Sequence, residues 1–181
     1  MPRPTVEKIE EPLLTRPPLD SCDVTMRPVV QTISDSKLLD IDQLLNGKDD
    51  FTVKNLIYPG ASGDTRTAYL TLPPGDGPHP LIIVYPALGS GGVISELLAK
   101  GYTRQGYATL RMVEYPSLIS PGRSIEDVFD QFRYTVADAR ALADYLGTLP
   151  EIDAEKTGVA GLSLGALMAA TTIGVDKNID A

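Results

Sequence analysis

Leu81-Ile-Ile-Val-Tyr85 is the strongest strand signal in this 181-residue chain, and it constrains the fold more than any other segment. A run that is apolar at every position and largely β-branched offers no side to water, so it belongs in a sheet covered on both faces. Beyond it the periodicity alternates. Val93 to Gln105 reads as a crossover helix, and Tyr107-Ala-Thr-Leu-Arg-Met-Val113 as another buried strand. Val128, Phe132, Val136, Ala139, Leu142 and Leu146 then recur at helical spacing on one face of a long helix that stops near Gly147. Asp153 to Thr157 leads into a short strand, Gly158-Val-Ala-Gly161, and Leu164 to Ile173 forms a further helix. This alternation predicts an α/β fold: a mostly parallel sheet with right-handed crossovers and helices on both faces.

Ahead of that unit, Phe51 to Tyr58 and Ala68 to Pro74 read as two edge strands, joined through the turn residues Pro59-Gly60 and Gly63-Asp64. Residues 1–50 differ in character. Pro2, Pro4, Pro12, Pro17, Pro18 and Pro28 specify an extended arm, and Leu38, Ile41 and Leu45 form one stripe of a short amphipathic helix ended by Gly47. The expected organisation is an arm and short helix over 1–50 and one α/β domain over 51–181.

The composition narrows the function classes. An apolar fraction of 43% suits one folded domain with a core. Lys and Arg number 16 against 24 Asp and Glu, a formal charge of -8, and no basic tract is present to release counterions. That argues against nucleic acid or an anionic membrane as a partner. Cys22 is the single cysteine, so no internal disulfide or thiolate cluster can form, and in its polar, Pro-flanked segment it reads as a bystander. The first residues lack the apolar stretch of a leader, and no run is long enough to span a bilayer. A soluble chain is expected, cytoplasmic favoured, with a secreted mature form left open.

No histidine pair or carboxylate cluster has ligand spacing, so no metal is expected. Gly89-Ser-Gly-Gly92 lacks both the Gly-x-Gly-x-x-Gly spacing and the Lys-Ser or Lys-Thr pair of a phosphate loop, so no nucleotide cofactor is expected either. Without basic neighbours, Tyr102, Tyr107 and Tyr115 are packing residues rather than a base-stacking platform.

Chemistry concentrates at Gly161-Leu162-Ser163-Leu164-Gly165. A glycine-serine pattern in a loop carries no message, but this one lies between a strand and an alanine-rich helix. That is where a sharp elbow exposes a serine hydroxyl at the edge of a sheet. Gly161 and Gly165 leave room for neighbouring backbone. The helix start aims amide groups and the positive end of its dipole at the serine. The Leu164 N–H would then donate to an oxyanion formed at Ser163. A second donor is expected from the loop after Leu81–Tyr85, through the Leu88 amide in Pro86-Ala-Leu-Gly-Ser-Gly-Gly92. Arg111 and Glu114, near the end of the next strand, read equally as pocket residues or as a local ion pair. Asp138 and Asp144, on the long helix, are expected to face solvent.

With these features residues 51–181 resemble the N-terminal portion of the α/β-hydrolase fold family and, more loosely, its dienelactone-hydrolase-like and acyl-peptidase-like esterase branches. The resemblance implies Ser163 as nucleophile, Leu164 as the oxyanion residue beside it, and Leu88 as the residue after the family's usual His-Gly pair, where Pro86-Ala87 stands. Members of the family place an acid and then a histidine downstream of the serine. Here Gly174-Val-Asp-Lys-Asn-Ile-Asp-Ala181 reads as the loop into the next strand, Asp176 and Asp180 come before the acid's place, and no histidine follows Ser163. His79, the single histidine, precedes the central strand at its far end, roughly 15 Å or more from the serine. It reads as a turn residue.

The resulting expectation is a serine hydrolase of carboxylic esters or related acyl compounds, with the acid and histidine missing from this chain. Its partners would be a small acyl substrate and a second chain, or another copy, covering an incomplete sheet edge. A noncatalytic binding or scaffold protein with the same fold, and an acyltransferase, are the alternatives.

Overall fold

The computed structural model describes residues 23–25, 49–90, 92–114, 122 and 124–179. Among them lie β1 (Asp23–Thr25), β2 (Thr52–Pro59), β3 (Thr65–Leu72), β4 (His79–Tyr85), α1 (Val93–Thr103), β5 (Ala108–Met112), α2 (Ile125–Leu146), β6 (Ile152–Gly161) and α3 (Leu164–Val175). The strands form one sheet in the order β1-β2-β3-β5-β4-β6. The amphipathic helix expected near Leu38, Ile41 and Leu45, as well as Cys22, Tyr115 and Asp180, fall outside the described residues.

Apolar, β-branched β4 sits between two parallel neighbours, with Ile83 opposite Leu110 of β5 and Val159 of β6. The chain moves from β4 to β5 in one direction across the sheet and returns past β4 to reach β6. Right-handed crossovers in opposite directions put the two connecting helices on opposite faces. Accordingly α1 packs on β4 and β5, while α2 and α3 pack against each other. Leu81, Ile83, Leu110, Val136, Leu142, Leu146 and Met168 make the dry interior between the sheet and the α2–α3 layer.

Three expectations need correction. The sheet is mixed rather than mostly parallel, because β1/β2, β2/β3 and β3/β5 all pair antiparallel. The hairpin strands are not edges: β1 covers β2, and β3 pairs with β5, so Leu56, Ala68 and Leu70 are fully buried. Asp138 does not face solvent. It is 2% exposed and accepts from the Ala61 amide at 2.7 Å and the Tyr58 hydroxyl at 3.4 Å, tying α2 to the turn after β2. Helical periodicity placed it on the side away from the core stripe, but the hairpin wraps around that side too. Asp144 is exposed as expected.

Strand β6 is longer than its apolar segment, starting at Ile152 rather than Gly158. Its pairing with β4 jumps from Pro80↔Asp153 to Leu81↔Thr157, leaving Ala154-Glu155-Lys156 bulged out. Pro80 has no N–H to give the ladder, so this is where the pairing yields. Helix α2 begins in a capping box, with Ser124 Oγ accepting from the Asp127 amide and Asp127 Oδ2 accepting from the Ser124 amide, each at 3.1 Å. Helix α3 carries no charged residue. It buries Gly165, Met168, Ala169 and Thr172 against the sheet and α2, and exposes Ala166, Leu167, Ala170 and Ile173. The end of α3 is pinned by Asp176, whose carboxylate meets the Arg140 guanidinium at 2.9 Å with both side chains 5% exposed.

Candidate active site

Because β4 and β6 are parallel, the turns that leave them emerge on the same edge of the sheet. Tyr85, the last residue of β4, stands opposite Gly161, the last of β6. Two residues later Ser163 adopts φ 56°, ψ -120°, and it is the one non-glycine residue with positive φ among the described residues. A side chain there costs on the order of 1–3 kcal/mol, which only surrounding structure can hold in place. Ser163 is exposed, at the N-cap of α3.

The flanking glycines explain how the strain is held. A Cβ on Gly161 would run into the Gly165 carbonyl group and come within 2.9 Å of the Ala166 nitrogen. A Cβ on Gly165 would lie 2.8 Å from the Pro86 oxygen and 2.9 Å from the Tyr85 oxygen. The first turn of α3 is thus wedged against the end of its own strand and against the end of β4. Deeper in, the Tyr85 and Thr172 hydroxyls meet at 2.6 Å, joining β4 to α3 again, and burial pushes the Tyr85 phenol pKa well up.

Amides at this edge are unevenly satisfied. Gly165 N–H donates to Leu162 O, and Ala166 and Leu167 N–H turn back onto Ser163 O, while the Leu164 N–H has no backbone partner among the described residues. In the turn after β4, Ser90 N–H donates to Ala87 O, and Leu88 N–H likewise finds no backbone partner. Leu88 is 47% exposed and Leu162 51%. Ile125 and Phe129, both exposed, open α2, which by topology starts at this same edge. Among the described residues the edge therefore presents an exposed serine, two amides without backbone partners and apolar side chains.

His79 is elsewhere. It is the first residue of β4, opposite Ile152, with its amide on the Glu151 carbonyl at 2.8 Å. Six residue steps along the strand separate it from Tyr85, roughly 20 Å. It belongs to β4 itself rather than to the preceding turn. Asp176 is occupied by Arg140 at the opposite end of α3 from Ser163.

Arg111 and Glu114 go separate ways. The Arg111 guanidinium lies 4.3 Å over the Tyr69 ring. Burial lowers its pKa, opposed by the Glu96 carboxylate, and it remains a cation at neutral pH. Glu114 accepts the Gly89 amide at 3.0 Å through Oε1. Sequence reasoning did not find that contact. The available signal was a carboxylate two residues past a central strand, at the level of a glycine-rich loop on the adjacent one. Among the described residues no group of three or more His, Cys, Asp or Glu could hold a metal ion, and no helix is long and apolar enough to cross a membrane.

No protein-family model matches the chain, and no curated protein matches its sequence. Solved structures do. An acetyl xylan esterase from Paenibacillus sp. R4 aligns with TM-score 0.61 and 21% identity over 92% of this chain and 53% of its own. A hypothetical protein from Pseudomonas aeruginosa aligns with TM-score 0.57 and 26% identity over 76% of this chain and 42% of its own. A dienelactone hydrolase-like promiscuous phosphotriesterase from metagenomic libraries aligns with TM-score 0.56 and 17% identity over 71% and 56%. The chain thus has an α/β-hydrolase-like fold, shared with esterases and other hydrolases, and spans about half the length of these structures.

Proposed function

We propose that this chain carries the nucleophile and oxyanion-binding part of a serine hydrolase that acts on a carboxylic ester or related acyl compound. The observation that carries the reading is Ser163: an exposed serine on a strained strand-to-helix corner, flanked by two glycines at which an added Cβ would come within 3 Å of backbone atoms. Strain of this kind is kept where geometry is needed for chemistry. Ser163 Oγ attacks the substrate carbonyl carbon, its proton passes to a base, and the carbonyl oxygen becomes an oxyanion. The Leu88 and Leu164 N–H groups, both without backbone partners among the described residues, receive that oxyanion. Collapse expels the alcohol with the proton returned to it, leaving an acyl-serine that water hydrolyses by the same steps.

The base is a histidine from polypeptide outside these 181 residues, since His79 stands at the wrong end of β4. A second chain, another copy or further sequence following the same fold could bring it to the edge. The exposed apolar side chains at this edge, Leu88, Leu162 and Phe129, suit the acyl or alcohol portion of a small, uncharged substrate. Esterase and hydrolase structures of the same fold support the reaction class.

The test is intact mass after incubation with a fluorophosphonate probe, with Ser163→Ala alongside. Slow labelling of the native chain, supported by the oxyanion donors without the base, and none of the variant is expected. A folded sample that stays unlabelled would favour a noncatalytic protein that uses the same edge only to bind.

A further inference from the structure

The loop after β4 is held in a way that assigns Glu114 a task. Ala87-Leu88-Gly89-Ser90 is a β-turn closed by the Ser90 amide on the Ala87 carbonyl at 3.2 Å, and Gly89 has φ 70°. Positive φ at the second central residue is the mark of a type II turn, which differs from type I by a flip of the central peptide. That peptide joins Leu88 to Gly89, and its N–H is the one that donates to Glu114 Oε1 at 3.0 Å. In the flipped turn the Leu88 carbonyl oxygen would face the carboxylate instead, exchanging a charge-assisted hydrogen bond for repulsion between two acceptors. Little else holds the tip. Leu88 and Gly89 are exposed, and among the described residues the loop's other backbone bond runs from the Val93 amide to the Ser90 carbonyl at 3.2 Å.

The geometry points to Glu114 as a positioning residue that locks the Leu88–Gly89 peptide in the type II orientation and so steadies the turn that carries the Leu88 amide at the edge where Ser163 stands. Glu114 touches no reacting atom. It acts from the end of β5 on a loop leaving β4, holding the peptide next to the one that bears the Leu88 N–H. The consequence for reactivity rests on the reading of Ser163 as the nucleophile. The lock itself does not.

Two readouts separate the lock from the nucleophile. Hydrogen exchange of the Gly89 amide, measured by NMR on the full chain, should accelerate at least tenfold in Glu114→Ala and return close to the native rate in Glu114→Gln, whose amide oxygen still accepts. Fluorophosphonate labelling of Ser163 should slow about tenfold in Glu114→Ala and recover in Glu114→Gln, with the melting temperature almost unchanged. Labelling of Glu114→Ala at the native rate would overturn the positioning role. Unchanged Gly89 exchange would overturn the lock. If the native chain is not labelled, the nucleophile reading falls, and the Gly89 exchange rates alone then decide the inference for or against.

Discussion

Two turns leave the carboxyl ends of neighbouring parallel strands, and they are held by opposite means. The one after β6 is fixed by exclusion: Gly161 and Gly165 lie so close to other backbone that a single added carbon has nowhere to go, and Ser163 is forced into a conformation it would not choose. The one after β4 is fixed by attraction, through a side chain from a third strand that grips one exposed peptide. Exclusion is stiff, whereas a single hydrogen bond at the surface can be lost to water at small cost.

Breaking the stiff turn should have the larger effect. Gly165→Ala brings a Cβ within 3 Å of two backbone oxygens of Tyr85 and Pro86, neither of which can rotate away. Helix α3 must lift from β4, stretching the Tyr85–Thr172 contact as well. A loss of about 3 kcal/mol is expected, at the upper end of what overpacking costs. The urea midpoint measures it. Gly174→Ala on the same helix, where nothing lies within 4 Å of the new carbon, is the internal control and should be neutral or slightly stabilising. A Gly165→Ala loss no larger than the Gly174→Ala change would mean that the turn is not sterically closed.

The two turns also differ in how far the sequence discloses them. Gly-Leu-Ser-Leu-Gly between an apolar strand and an alanine-rich helix is a local pattern, and its geometry follows from the residue types at fixed spacing. The same holds for β4, whose unbroken apolar run left it no place but the interior, and for the stripe from Val128 to Leu146. What was not legible depends on pairs distant in sequence. Glu114 meets Gly89 25 positions away, Tyr58 meets Asp138 at 80, and Arg140 meets Asp176 at 36. The antiparallel joint of β3 to β5 was hidden for the same reason: alternating burial says that a strand has a covered face, not which strand lies beside it.

A second change at the stiff turn has the opposite sign. Ser163→Gly removes a side chain from φ 56°, relieving roughly 1–3 kcal/mol of strain, against which the freer unfolded chain sets about 0.5–1 kcal/mol. A net gain of about 1 kcal/mol is expected by urea denaturation, with loss of fluorophosphonate labelling. Stabilisation combined with lost reactivity is the signature of strain held for function. A destabilised variant would show instead that the hydroxyl itself supports the fold.

The smallest effect is expected at the soft turn, and its interest lies in what it depends on. Gly89→Ala places a Cβ at φ 70°, which costs an alanine about 1–2 kcal/mol, while the stiffer unfolded chain returns about 0.4–1 kcal/mol. The net loss should be about 0.5 kcal/mol. That penalty exists only while the turn is kept in its type II form. In Glu114→Ala the central peptide is free to flip, and the second central position then takes a negative φ that alanine adopts without strain. Gly89→Ala should therefore cost nothing, or gain slightly, when made on top of Glu114→Ala. The double-mutant cycle read by denaturation isolates that coupling. Equal penalties in both backgrounds would mean that the turn holds its form without Glu114, and the contrast between a sterically closed turn and a gripped one would fail.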